Sequence, residues 1–183
     1  KGEDFRYQEF RRKYGPERYW WVSFFQVFVL QGVLMWVIGA PLLIAQGGSG
    51  PIGLWEAAAV IVWIIGFVFE AGGDAQLAAF KANPANKGRL LNTGLWRYTR
   101  HPNYFGDAAQ WWAYYLLAVG AGGWWTIFSP IIMTLFLIKV SGVGLLEKTL
   151  AQTKPGYREY METTSAFVPW FPKRRGSFDS GNH

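Results

Sequence analysis

The sequence predicts an all-α protein that crosses a membrane as a bundle of about four helices. Of its 183 residues, 51% are hydrophobic and only 16% are charged, and the hydrophobic residues lie in long blocks separated by basic loops. A soluble domain of this size carries more charge and fewer apolar residues. The absence of cysteine excludes disulfides and cysteine-ligated metals, and with only His101 and His183 we expect no metal site.

Four apolar runs define the predicted helices. They cover about residues 20–45, 54–69, 105–121 and 124–138, and the second continues as helix to about residue 80. A helix needs about 20 apolar residues to cross a bilayer. The last two runs are short and are separated only by "AGG", so we expect them to form a tight hairpin.

The distribution of lysine and arginine along the chain predicts the orientation of the helices in the membrane. All 18 lie before the first run, in the central loop (residues 81–100), or from residue 139 onward, and the loops between the first and second and between the third and fourth runs contain none. Cytoplasmic loops of membrane proteins are rich in these residues. Both termini and the central loop are therefore expected in the cytoplasm, and the net charge of +6 reflects topology rather than nucleic-acid binding.

Three acidic residues, Glu70, Asp74 and Asp107, lie in or beside apolar helix. Ionisable groups at membrane depth are costly and generally face the inside of a bundle, with a partner. Glu70 and Asp74 are four residues apart and share a helix face. Two interpretations stay open: the carboxylates pair with arginines of the central loop and hold helices together, or they accept hydrogen bonds from the ribose or adenine of a ligand.

The central loop, "KANPANKGRLLNTGLWRYTR", mixes basic residues with glycine, asparagine and aromatic residues. Topology explains its charge but not this mixture, which suits an anionic ligand with flat rings. Guanidinium groups match phosphate oxygens with paired hydrogen bonds. The loop therefore predicts a binding site for such a ligand.

The stretch "LWRYTRHPNYFGD", residues 95–107, joins this loop to the third run. Pro102 fits the first turn of a helix, so we expect a helix to begin near Asn103, with its first N–H groups facing the arginine-rich loop. Asn103 and Asp107 then share a face. His101 suits a structural hydrogen bond as well as a ligand contact, and both interpretations stay open.

The region after residue 139 predicts a helical extension, followed by a short helix that begins near Pro155. One face of the short helix carries Tyr157, Tyr160, Met161 and Thr164. This face either lines a pocket or lies on the membrane. Residues 173–183 are polar and expected to be disordered.

The stretch 95–107 and the stretch "SGVGLLEKTLAQTKPGYREYMETTSAFVPWFP" together resemble a superfamily of membrane enzymes. It contains the steroid 5-alpha-reductases, the sterol reductases and the isoprenylcysteine carboxyl methyltransferases. The stretches "GEDFRYQEFRRKYG" and "GDAQLAAFKANPANKGRLLNTG" look most like a bacterial branch akin to steroid 5-alpha-reductase. The resemblance implies a multi-pass protein of the bacterial inner membrane.

The resemblance also implies that NADPH is held in a cytoplasm-facing cavity, capped by loops and C-terminal helices. A hydride would pass to the β-carbon, and a proton to the α-carbon, of an unsaturated ketone in a steroid-like or other lipidic substrate. Asp74 is expected on the adenosine side, Lys81 and Arg89 on the phosphates, and Asn103 and Asp107 near the nicotinamide. The full set of expected cofactor-binding residues is Asp74, Lys81, Arg89, Trp96, Tyr98, Arg100, His101, Asn103, Tyr104, Asp107, Glu147, Tyr157 and Tyr160.

The same resemblance places the catalytic Glu and Tyr on helices upstream of this sequence, so no residue here is assigned as catalytic. We expect residues 1–172 to form one membrane domain, the C-terminal part of a protein with seven spans.

Two alternatives stay open: a membrane methyltransferase that uses S-adenosylmethionine, and a membrane scaffold whose polar core only holds helices together. NADPH carries about four negative charges, whereas S-adenosylmethionine is a net cation, so the basic central loop favours NADPH. The expected partners are a lipidic substrate and the bilayer.

Overall fold

The computed structural model describes residues 5–140 and 143–173. Within these ranges the chain is helical, and one parallel bridge, between Thr99 and Ser165, is the β structure present. This confirms the all-α prediction for the described residues. The chain divides into two compact units between Ala40 and Pro41. The single domain over 1–172 stays a prediction, and the tail from residue 174 lies outside the described residues.

The first unit is one long helix with interruptions, polar in its first half and apolar in its second. Helix α1 (Phe5–Ser23) continues through a π-helical segment (Phe24–Val29) into α2 (Leu30–Ile38). Gly15, at φ 73°, breaks the helical geometry before Pro16. The stretch Arg11–Ile38 is long and apolar enough to cross a membrane. Exposed along it are Trp20, Trp21, Phe24, Phe28, Met35 and Trp36.

The first predicted run, 20–45, is not one helix in the structure. A turn at Gly39 ends α2, and α3 (Ala40–Ala45) follows. Pro41 accounts for the break, because it has no backbone N–H to donate the hydrogen bond that a continuous helix requires.

The second unit is built on α4 (Leu54–Ala82), the second helix long and apolar enough to cross a membrane. The Glu56 carboxylate accepts the Gly53 N–H at 2.8 Å and so caps its start. Helix α5 (Pro102–Gly120) runs antiparallel to α4, and Trp63 Nε1 donates to the Tyr114 hydroxyl at 3.2 Å between them. As predicted, Pro102 occupies the first turn of α5.

Glycines let α4 and α5 approach backbone to backbone. A Cβ added at Gly66 would lie 2.7 Å from the Gly106 carbonyl oxygen, and one at Gly106 would overlap the backbone of Glu70. A Cβ at Gly73 would lie 3.0 Å from Pro102. Small residues at such crossings are typical of helix pairs that pack within membranes.

The third and fourth runs form the predicted hairpin. A turn with Gly122 at φ 83° leads into a 3-10 turn (Trp124–Ile127), α6 (Phe128–Leu135) and a π-helical end (Phe136–Val140). Trp112 Nε1 donates to Thr134 Oγ1 at 3.3 Å and joins the two arms. The apolar stretch Trp124–Lys139 is shorter than the two long helices.

The C-terminal region forms α7 (Val143–Thr153) and α8 (Tyr157–Thr163), then an extended segment to residue 173. The short helix begins at Tyr157, two residues after Pro155 and so close to the predicted start, and Gly156, at φ 78°, makes the turn before it. Tyr157 and Tyr160 are buried. The predicted face of this helix is thus turned inward.

Replacing Gly106 with alanine should lower the free energy of unfolding by about 1–3 kcal/mol, because the added methyl group must push α4 and α5 apart. Thermal unfolding of the protein in detergent measures this change. Gly32→Ala is the matched control, since nothing lies within 4 Å of a Cβ at that helical position. Equal unfolding temperatures for the two variants would contradict the close packing.

Candidate functional site

A cavity of about 540 Å³ opens where the C-terminal end of α4 and the central loop meet the start of α5 and the helices α7 and α8. Sites for small molecules and cofactors commonly measure roughly 300–1,000 Å³. The cavity therefore has the size of a ligand site, and it lies where the sequence predicts one.

The wall of this cavity is basic. Its lysines and arginines are Lys81, Lys87, Arg89, Arg100 and Lys154, and no carboxylate lies among the described lining residues. Lys81, Lys87 and Arg89 are exposed. Because these three exposed cations share one concave surface, their fields add and attract an anion.

The rest of the wall is largely apolar and aromatic. It includes Leu77, Phe80, Leu90, Leu91, Trp96 and Leu150. A ligand that combines anionic groups with flat, weakly polar rings would find complementary surfaces for both parts.

Local hydrogen bonds shape the basic part of the central loop. Asn83 Oδ1 accepts a backbone N–H two residues further along at 3.0 Å, and Asn86 Nδ2 donates to the Phe80 carbonyl at 3.0 Å. Lys154 Nζ donates to the Arg89 carbonyl at 3.5 Å. The C-terminal region thus contacts the central loop at the cavity wall.

Arg100 is buried at the centre of a polar cluster. Its Nε donates to Glu147 Oε1 at 2.7 Å, and its Nη1 donates to the carbonyls of Met161, at 2.8 Å, and Thr164. A buried cation needs this kind of charge pairing and hydrogen bonding. Arg100 therefore joins the start of α5 to α7 and to the end of α8, in addition to lining the cavity.

His101 shares the same carboxylate. Its Nε2 lies 3.2 Å from Glu147 Oε1, and its ring stacks on Tyr104 with centroids 5.5 Å apart and planes 7° from parallel. Burial lowers the pKa of His101 below its usual value, although the hydrogen bond to Glu147 acts in the opposite direction. A neutral imidazole and a phenol ring thus lie in parallel planes at the cavity wall.

Two buried tyrosines complete this side of the cavity. Tyr160 donates its hydroxyl hydrogen to the Trp96 carbonyl, and its ring meets that of Tyr157 edge to face at 5.8 Å. Burial raises the pKa of Tyr157 to about 12 and also raises the pKa of Tyr160. Both hydroxyls keep their protons at neutral pH and are therefore able to donate hydrogen bonds.

The acidic residues of α4 pair with amides of α5. Asp74 Oδ1 accepts Asn103 Nδ2 at 3.0 Å, and Glu70 Oε2 accepts Gln110 Nε2. Of the two interpretations, helix pairing is the one observed, with the amides of α5 as partners rather than the arginines of the central loop. Ligand contact by Asp74 or Asp107 stays a prediction.

The structure brings nine of the thirteen expected residues to the cavity wall. They are Lys81, Arg89, Trp96, Arg100, His101, Asn103, Tyr104, Tyr157 and Tyr160. The other four are Asp74, Tyr98, Asp107 and Glu147. Asp74 and Glu147 contact lining residues, while the Tyr98 ring packs against Phe171 with centroids 6.0 Å apart.

Sequence reasoning did not select two basic residues of the wall. Lys87 lies in the central loop, and its place between Lys81 and Arg89 was a usable signal. Lys154 lies 65 residues beyond Arg89 in the chain. The cytoplasmic orientation already explains a basic residue at this position. No local pattern therefore marks Lys154 as a site residue.

Replacing Glu147 with alanine should lower the free energy of unfolding by about 3–5 kcal/mol, since it leaves the buried Arg100 guanidinium without its counter-charge. Denaturant or thermal unfolding in detergent measures the loss. Glu162→Ala, on the exposed face of α8, should change stability by less than about 0.5 kcal/mol. Similar losses for both variants would show that the Arg100 cluster does not hold these segments together.

Comparison with known proteins places the chain in a family. The family model described as "Protein of unknown function (DUF1295)" matches residues 1–164. An uncharacterized protein of the fission yeast Schizosaccharomyces pombe is 27% identical over 190 residues, which cover 91% of this chain and 55% of the yeast protein. The chain thus spans about half the length of that relative, and no solved structure matches it. Because the family match extends over most of the sequence, this protein belongs to the DUF1295 family.

Proposed function

We propose that this protein forms the cofactor-binding part of a membrane reductase. The reductase uses NADPH to reduce a carbon–carbon double bond conjugated to a ketone in a steroid-like or other lipidic substrate. The observation that carries the proposal is the basic, partly aromatic cavity at the end of the long apolar helix α4. Its cations suit phosphates, and its apolar wall suits flat rings.

The phosphates are assigned to Lys81, Lys87 and Arg89. All three lie within nine consecutive residues, on the last turn of α4 and the loop after it, and all three are exposed. A phosphate monoester such as the 2′-phosphate of NADPH adds about −1.5 to −2 charge at pH 7. Lys154, in contact with the Arg89 carbonyl, supplies a fourth cation from the C-terminal side. The sign of the charge and the size of the cavity both fit a dinucleotide.

The nicotinamide ring is assigned to the stacked pair His101 and Tyr104. Their parallel, stacked rings offer an aromatic surface for a ring, and a neutral His101 does not repel the positive charge of the oxidised nicotinamide. The neighbouring Asn103 also lines the cavity, and Asp74 and the Tyr104 N–H orient its amide, the latter by donating to Asn103 Oδ1 at 3.0 Å. The amide is thereby held in one orientation for a ligand.

NADPH, when bound, would supply the hydride for the β-carbon of the substrate. A proton must then reach the α-carbon. Tyr157 and Tyr160 hold their protons tightly, because burial raises their pKa, so their role is to orient groups by hydrogen bonds. We assign the proton donor to the upstream Glu and Tyr that the resemblance implies.

We further propose four spans, with the cavity facing the cytoplasm. Two helices of the described chain have the length and apolar composition to cross, and α5 with the Trp124–Lys139 stretch would supply the shorter pair. The basic wall of the cavity comes from segments that the distribution of lysine and arginine assigns to the cytoplasm.

A non-enzymatic scaffold is the second candidate, and one observation favours it. Glu70, Asp74 and the Arg100–Glu147 pair all have partners within the protein, so this polar core serves packing. The exposed cations at the cavity wall are not part of these pairs; the cytoplasmic orientation explains their sign, but not their position around one cavity. An S-adenosylmethionine site is disfavoured, since a cationic wall repels a cationic ligand.

Titration of the purified protein in lipid nanodiscs with NADPH, followed by nicotinamide fluorescence, tests the proposal. We expect saturable binding that weakens as salt screens the cations, and no saturable binding of S-adenosylmethionine by calorimetry. Binding of S-adenosylmethionine alone would replace the reductase with a methyltransferase. Binding of neither would favour the scaffold.

Lys81→Gln and Arg89→Gln should each weaken NADPH binding about tenfold, which is the loss of one charge-assisted hydrogen bond worth about 1.4 kcal/mol. If either residue binds the 2′-phosphate, its removal should affect NADH less, because NADH lacks that group. Arg158→Gln is the control, since Arg158 is exposed on α8 and lies outside the cavity wall. Equal losses for NADPH and NADH in both variants would contradict the 2′-phosphate assignment.

A further inference from the structure

The extended segment after α8 presents an apolar surface away from the cavity wall. We call residues 167–172, "FVPWFP", the aromatic loop. Val168, Trp170 and Phe171 have 59%, 72% and 77% of their surface exposed. Three large apolar side chains exposed within four residues cost free energy in water, and such patches generally mark a contact surface.

The backbone of the aromatic loop is held in place at several points. Thr99 Oγ1 donates to the Phe167 carbonyl at 2.8 Å, and the Trp170 N–H donates to the Tyr98 carbonyl at 2.9 Å. At the far end, the Lys173 N–H donates to a carbonyl of α8 at 2.9 Å. These hydrogen bonds hold the backbone of the loop while the three side chains stay exposed. Their exposure is therefore not that of a free chain end.

Two ring contacts link the aromatic loop to the apolar helix α4 through Phe105 of α5. The Phe167 ring meets Phe105 edge to face at 6.2 Å, and Phe105 meets Phe69 in the same way at 5.1 Å. Phe69 precedes Asp74 by five residues, or about 7.5 Å of helix rise. The loop is thus linked, through α5, to the part of α4 where its apolar sequence gives way to charged residues.

We propose that the aromatic loop inserts into the interface of the phospholipid bilayer, as a membrane contact additional to the spanning helices. The loop is linked through Phe105 to α4 near the end of its apolar sequence, and Trp170 has the amphipathic ring that favours the headgroup level. The exposed Lys173 beside it suits lipid phosphates. This contact would fix the C-terminal wall of the cavity at the membrane surface, through Tyr98 and Thr99. The inference rests on the proposal that α4 spans the bilayer.

The chain contains no cysteine, so single labels can be introduced directly. The full chain with Phe171→Cys is labelled with an environment-sensitive nitrobenzoxadiazole group and reconstituted into phosphatidylcholine vesicles. Ile61→Cys, on the exposed apolar face of α4, is the control for lipid contact, and Glu162→Cys, on the exposed face of α8, is the control for water. Nitroxides attached to lipids and aqueous iodide serve as the two quenchers.

We expect the Phe171 label to be quenched by lipid nitroxides, and to be quenched several-fold less by iodide than the Glu162 label. Val168→Cys should behave alike, and it provides a second position if Phe171→Cys does not fold. Iodide quenching equal to that at Glu162 would overturn the proposal. Protection from both quenchers would also overturn it, since a protein surface would then cover the loop.

The Ile61 label separates failure of the aromatic loop from failure of its premise. Lipid quenching at Ile61 together with iodide quenching at Phe171 would mean that α4 spans and the loop does not insert. Iodide quenching at both positions would overturn the spanning role of α4, and the loop proposal with it.

Discussion

The guanidinium of Arg100 is buried at the point where three segments of the chain meet. It pairs with Glu147 of α7 and donates to carbonyls at the end of α8, while the Arg100 N–H donates to the Ser165 carbonyl at 2.9 Å. Removing a buried charge from water is costly, and only geometry that satisfies its donors offsets that cost. The start of α5, the C-terminal helices and the extended segment are therefore constrained together, and the cavity and the aromatic loop both depend on that constraint.

The cavity wall combines this satisfied core with cations at its edge. Lys81, Lys87 and Arg89 lie close together in sequence and share the cavity with Lys154. Like charges on one concave surface repel one another and lower stability, unless an anion neutralises them. Arrangements of charge that lower stability in this way are expected at functional sites. The contrast between a paired Arg100 and exposed neighbouring cations distinguishes the structural part of the polar region from the part proposed to bind phosphate.

Local sequence patterns were enough to predict where the helices lie, but not which side chains pair between them. Apolar runs located α4, α5 and the hairpin, and Pro102 marked the start of α5, because helix capping and apolar periodicity are local properties. The break at Gly39 was missed, since a long apolar run outweighed the Pro41 signal. Asn103 was assigned to the site, but its bond to Asp74 joins residues 29 apart in sequence. Such pairs depend on how helices pack, and a single sequence does not record that.

A structure of the protein determined in lipid with NADPH present would test the central claim most directly. The account predicts density for a dinucleotide in the cavity, with its phosphates against Lys81 and Arg89 and its nicotinamide against the His101–Tyr104 pair. Clear density for these side chains with no dinucleotide between the central loop and α5, at NADPH concentrations that saturate binding, would contradict it.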